Sequence, residues 1–204
     1  MESYIKAYAH IRNNLVLLNG EVLFKDECEG FSGFSKAAYK AFDTKYPKFF
    51  KMDNLSKLAF LAADVLLKQE ISDPEKEENI AIVLSNSASS LDTDRKHQKS
   101  IEDKNNYFPS PSVFVYTLPN ICIGEISIKH RLFSENSFFI FEQFNAGHLL
   151  DYSSSLLATK KAERVLCGWV DFDDNKYEAF LYLVADKGEI THNKEEIIRL
   201  YNYE

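Results

Sequence analysis

Phe138-Phe139-Ile140-Phe141-Glu142-Gln143-Phe144-Asn145-Ala146-Gly147-His148-Leu149-Leu150 opens with four large apolar residues in a row and closes on the start of a periodic apolar pattern. The first four residues read as a strand. Leu149, Leu150, Tyr152, Ser153, Leu156 and Leu157 then follow one helical face, and Lys160 and Lys161 stand where positive charge suits a helix C-terminus. The turn from Glu142 to Gly147 joins the two, which makes a strand-to-helix unit of the kind that builds an α/β layer.

The same alternation extends outward in both directions. Asp53 is an N-cap ahead of Leu55, Leu58, Ala59, Ala62, Val65 and Leu66, so a helix is expected to about Gln69. Ile80 to Leu84 is an unbroken apolar run that reads as a strand buried on both faces. It enters the small polar turn Ser85-Asn86-Ser87-Ala88-Ser89-Ser90, which lacks the glycine and Lys-Ser/Thr of a phosphate-binding loop. Asp92 to Lys104 reads as a solvated helix and loop. Pro109, Pro111 and Pro119 then punctuate an extended stretch before a helix from Ile121 to Ile128, expected to pack closely at Gly124.

Downstream, Val165 to Phe172 and Glu178 to Ala185 are strands joined by the turn Asp173-Asp174-Asn175, a connection too short for anything but an antiparallel pair. At the N-terminus Tyr4 to Ile11 and Val16 to Phe24 read as two strands. Aromatics from Phe31 to Phe50 crowd an irregular stretch whose plainest reading is packing. The expectation is a single α/β domain over residues 1–204, with a mixed five-stranded sheet and flanking helices.

Composition narrows the function classes. With 45% apolar residues the chain can build a core, and its net charge of −7 repels phosphate backbones and anionic membranes, so nucleic acid is not expected as a partner. Three widely spaced cysteines, Cys28, Cys122 and Cys167, suggest neither disulfides nor a zinc site. No metal or other cofactor is read from the chain. A reducing cytoplasm is the expected setting, with no membrane span, because no apolar run approaches the roughly 20 residues a bilayer requires. Cys122 and Cys167 sit in apolar runs and read as packing, and no Gly-x-Ser-x-Gly elbow is present.

Pro109-Ser110-Pro111-Ser112-Val113-Phe114, Tyr116-Thr117-Leu118-Pro119-Asn120 and Gly124-Glu125-Ile126-Ser127-Ile128 resemble the segment and helix that precede the nucleophile strand of beta-ketoacyl synthases. Ser134-Glu135-Asn136-Ser137 is similar to that family's Gly-Pro-Asn-Ser turn. The resemblance covers about Asp53 to Asp186 and implies one half of a thiolase-like fold. Counting from Asn136 brings the family's catalytic cysteine onto Gln143, and Glu142-Gln143 resembles the chain length factors, whose role is not condensation. Ala146 stands where the family has glycine, and the half that supplies the catalytic histidines, or histidine and lysine, has no counterpart. His148 is the nearest histidine and reads as facing solvent or a neighbour.

The resemblance implies a noncatalytic subunit, with Gln143 marking the vacant nucleophile position. Family dimers pair the strand before the nucleophile, so Phe138, Phe139, Ile140 and Phe141 become interface candidates. The expected partners are a second copy or a full ketosynthase, and an acyl carrier protein, in fatty-acid or polyene assembly. Two other readings stay open: a malonyl-thioester decarboxylase that works with a partner synthase, and a small acyl-binding domain walled by Phe31 to Phe50.

Overall fold

The computed structural model describes residues 2–105 and 108–203. In chain order these form β1 (Tyr4–Arg12), β2 (Leu15–Leu18), β3 (Glu21–Lys25), α1 (Phe31–Ala41), a 3-10 turn (Pro47–Lys51), α2 (Asn54–Glu70), β4 (Ile80–Asn86), α3 (Leu91–Ile101), α4 (Pro111–Val115), α5 (Ile121–His130), β5 (Asn136–Ile140), α6 (Ala146–Ala158), β6 (Arg164–Asp173), β7 (Lys176–Ala185), β8 (Ile190–Thr191) and α7 (Lys194–Tyr201).

The strands make one mixed sheet in the order β3-β2-β1-β7-β6-β4-β5, with β8 beside the start of β1. β4 runs parallel to both β5 and β6, while β6–β7, β7–β1, β1–β2 and β2–β3 are antiparallel. The sheet thus has eight strands rather than five. One reason is that Val16 to Phe24 is not a single strand: Asn19 and Gly20 both take positive φ and fold it into a hairpin. Asp174 and Asn175 make the same left-handed pair between β6 and β7, as the short connection requires.

The pleat assigns each strand's residues to two cores. Ile80, Ile82 and Leu84 of β4, Leu166 and Val170 of β6 and Leu181 and Leu183 of β7 face the helices α1, α2 and α5. Ala81, Val83, Val165, Cys167, Phe180, Tyr182 and Val184 face α6 and α7. α2 lies across β1, β7 and β6 and is buried over most of its length. Asp53 starts it as expected, accepting from the Ser56 amide at 2.9 Å, and its other oxygen accepts the Thr93 hydroxyl of α3 at 2.8 Å.

Three local expectations change. The proline segment is not wholly extended, because Pro111 occupies the first turn of α4, where its fixed φ suits a helix start. Gly124 makes no close contact: a Cβ there would meet nothing within 4 Å, and α5 packs instead through Cys122, Ile123 and Ile126. Much of the stretch Phe31 to Phe50 is helical, and its rings pack on one another and on α2, with Tyr39 against Phe49 at 4.7 Å and Tyr46 against Phe60 at 5.2 Å.

Candidate functional site

β5 is an edge strand. It hydrogen-bonds to β4, with Leu84 opposite Phe138, and no strand pairs its other side among the described residues. The chain leaves β5 through Phe141, whose amide donates to the Asn86 carbonyl at 2.9 Å, and bends at Glu142 and Gln143 before α6 begins. Gln143 lies exposed at this bend. Phe144 anchors the turn from below, stacked on Tyr201 at 4.1 Å and edge-on to Phe180 and Trp169.

The helix end beyond Gln143 is capped from within, since the Asn145 side-chain oxygen accepts the His148 amide at 3.0 Å. That bond uses one of the free N–H groups that a helix N-terminus offers to an anion. A pocket of about 460 Å³ stands between the bend and α7, lined by Phe141, Gln143, Asn145, Gly147, Lys194 and Ile198. Reading the sequence did not anticipate α7 as its far wall. Asn193, which accepts the Glu196 amide at 2.8 Å, and the pair Ile197 and Leu200 were the available signals.

The four interface candidates divide by the pleat. Phe138 packs toward the α2 side and Phe139 toward α6, with its ring 5.2 Å from Tyr152, while Ile140 is 55% exposed. His148 does not face open solvent: its ring meets Phe139 at 4.4 Å and Phe141 at 5.0 Å, and its Nε2 is buried without a hydrogen-bond partner. Two residues separate Phe133, 67% exposed, from the start of β5, and other exposed apolar side chains are Leu91, Phe114, Val115 and Leu118 of the α3–α4 region and Ile128 in the last turn of α5.

The two buried cysteines offer no replacement nucleophile. Cys122 and Cys167 are fully buried, and burial pushes the Cys122 thiol far up and that of Cys167 to about 12. The described residues hold no helix long and apolar enough to cross a membrane.

No family model matches the chain, and no curated protein does either. Solved structures do. The ishigamide ketosynthase/chain length factor superposes with a TM-score of 0.69 at 14% identity, over 91% of this chain. The chain has the ketosynthase fold. It spans 62% of the length of that structure's chain, and likewise 62% of the matched chain in AntDE:AntF, a type II polyketide synthase acyl-carrier protein in complex with its ketosynthase bound to the hexaketide (TM-score 0.64, 12% identity, 91% of this chain). A third structure is the ketosynthase ApeO in complex with its chain length factor ApeC from Xenorhabdus doucetiae, with a TM-score of 0.61 at 12% identity. There the match covers all of this chain and 91% of the other.

The surface away from β5 carries a second feature. Although the chain is acidic overall, Lys36, Lys40, Lys51 and Lys57 cluster on α1, the 3-10 turn and the start of α2, and none forms an ion pair among the described residues. Lys57 is held below the usual lysine range by burial and by repulsion from Lys36 and Lys96, against the pull of Asp53. Phe50, next to Lys51 in the 3-10 turn, is 52% exposed and edge-on to Tyr39 of α1.

Proposed function

We propose that the chain is a noncatalytic, synthase-like subunit that joins a full ketosynthase along β5 in acyl-chain assembly, within a reducing cytoplasm. The observation that carries this reading is the open edge of β5, with exposed Ile140 at its end and exposed Phe133 just before its start. Isolated apolar residues are ordinary on a surface, whereas a group beside an open strand edge is suited to a partner. Gln143 supports the noncatalytic part: an amide keeps hydrogen-bonding groups at the bend but cannot form a thioester. The self-capped start of α6 weakens the site further as an oxyanion cradle.

The lysine face is the second contact. Ammonium groups without ion-pair partners, near an exposed ring, suit an acidic carrier protein, and such contacts fade with salt. Fatty-acid, polyene and related polyketide assembly are the settings in which both partners occur together.

Co-expression with a ketosynthase encoded beside it, followed by size exclusion, tests the pairing. A one-to-one complex is expected, retained in Gln143→Ala and lost in the pair Ile140→Glu and Phe133→Glu. A chain that elutes alone, or a complex indifferent to the glutamates, overturns the reading. Carrier binding is tested separately with Lys36→Glu and Lys51→Glu, which should weaken it about tenfold or more at low salt.

A further inference from the structure

α7 rests on a buried histidine at each end. His192 immediately precedes its cap Asn193, is 7% exposed, and has Nε2 without a partner while Nδ1 meets the Ser3 hydroxyl at 3.0 Å. His10 lies in β1 beneath the helix's last turn, fully buried and stacked on Phe180 at 4.8 Å; the Leu200 and Tyr201 carbonyls of α7 face its ring, but neither nitrogen makes a well-aligned hydrogen bond. Between them the eight-residue helix is held by buried Ile197 and Leu200 and by Tyr201. The Tyr201 hydroxyl donates to Glu178 at 2.7 Å, and its carbonyl accepts from Arg12 at 2.7 Å.

From this placement we infer that α7 is an acid-releasable strap over the bend at Gln143. A protonated imidazole in either buried site would be a charge without a counter-ion. The least costly way to hydrate both is to lift the eight-residue α7, since His10 and Phe180 otherwise lie within a continuous strand ladder. Lifting α7 removes Lys194 and Ile198 from the pocket wall and takes the Tyr201 ring off Phe144.

The charged and titratable groups near His10 are Tyr8 and Arg12 on β1, Glu178 on β7 and Arg199 and Tyr201 on α7. Those near His192 are Tyr182 on β7 and Glu2 at the chain start. Glu178 does not serve His10 as counter-ion, being already bound by the Trp169 indole at 3.0 Å and the Tyr201 hydroxyl. Burial lowers both histidines from 6.5 to about 4, aided at His10 by Arg12 and opposed there by the Leu200 and Tyr201 carbonyls. Both values are depressed in the docked state, so docking is fully favoured above pH 6.5 and weakens as pH falls toward 4. The loss is about 30-fold per histidine at pH 5.

Trp169 reports the strap, because it is the chain's single tryptophan, is buried, and shares the Glu178 carboxylate with Tyr201. Titrating the full chain from pH 8 to 4 should shift its emission to the red between 6.5 and 4, ahead of any loss of far-ultraviolet strand signal. His10→Gln and His192→Gln should each move that step to lower pH. Should the variants fold poorly, hydrogen exchange on the wild type gives the same answer. After correction for intrinsic rates, α7 amides should lose at least tenfold protection relative to α6 between pH 7.5 and 5. Emission and strand signal falling together, a step unmoved in folded variants, or α7 protection unchanged at pH 5 each overturns the strap.

Discussion

Gly168→Ala should be severely destabilising, and the structure says by how much. Gly168 sits in β6 opposite Leu181 of β7, and its carbonyl accepts the Ser85 hydroxyl at 3.1 Å, so it is fixed from both neighbouring strands. A Cβ built there would stand 2.1 Å from the Phe180 carbonyl oxygen, 2.5 Å from Leu181 Cδ2 and 2.9 Å from Leu181 Cα. A leucine methyl can turn aside; a backbone carbonyl in the middle of a ladder cannot. Ordinary carbon–oxygen contact is roughly 3.3 Å, so β6 and β7 must part locally by about 1 Å. That stretch removes about two ladder hydrogen bonds worth ~1 kcal/mol each, and crowding adds about 1–3 kcal/mol. Stiffening of the unfolded chain returns only about 0.4–1 kcal/mol. The net loss is about 2–5 kcal/mol, which for a chain of this size lowers Tm by roughly 10 °C. Thermal and urea unfolding followed by circular dichroism measure it. A Tm within 2 °C of the wild type would refute the close approach of these two strands.

The other expectations concern single side chains. Burial alone would raise the Asp64 carboxyl, but the His130 imidazole at 3.3 Å, the Lys68 ammonium at 2.7 Å and the Thr44 hydroxyl at 2.7 Å hold it down to about 2. Its stabilisation is therefore present above its ordinary value of 3.8 and lost as pH falls through 2. The amount is about 2 kcal/mol, visible as a falling urea midpoint that flattens in Asp64→Asn. Asp53→Ala removes the α2 cap and the acceptor of the Thr93 hydroxyl; it should cost about 2 kcal/mol in urea titrations, with Asp53→Asn recovering most of it. Gln143→Cys should add one thiol that alkylates readily in the native state beside the partly exposed Cys28, whereas Cys122 and Cys167 should react only on unfolding. By the proposed reading it yields no condensation product from malonyl and acyl thioesters with the chain alone, as mass spectrometry would show.

What the sequence made legible follows from signal length. α2 carries a cap and a long apolar stripe, β4 an uninterrupted apolar run, and β5 with α6 a change of period at one turn; each signal is local and strong. The β6–β7 hairpin is legible because two residues must turn the chain. Where the information is tertiary, reading stopped. His10 shares a strand period with Tyr8 and Arg12, but nothing in β1 says that an eight-residue helix from the far end of the chain covers that face. Gly124 shows the converse error, since a helical glycine implies close packing only if something approaches it, and nothing does.

Gln143 lies just past the carboxyl end of a parallel strand, at the bend before a helix. What the fold adds is the distribution of unfinished surface. One face of the sheet is covered by α1, α2 and α5 and the other by α6 and α7, and α6 turns Asp151, Ser155 and Ala158 outward rather than large apolar groups. The β3 edge, five residues long like β5, exposes Val22 and Leu23 but sets Glu21 and Lys25 on either side of them, a common protection against pairing. The β5 edge has no such charge among Ser137 to Ile140, and exposed Ile140 and Phe133 accompany it. A partner that buried the faces would have to displace this chain's own helices, whereas one that adds to β5 displaces nothing. The expected complex is therefore edge to edge, and this is why the double glutamate at Ile140 and Phe133, rather than any change on α6, should abolish it.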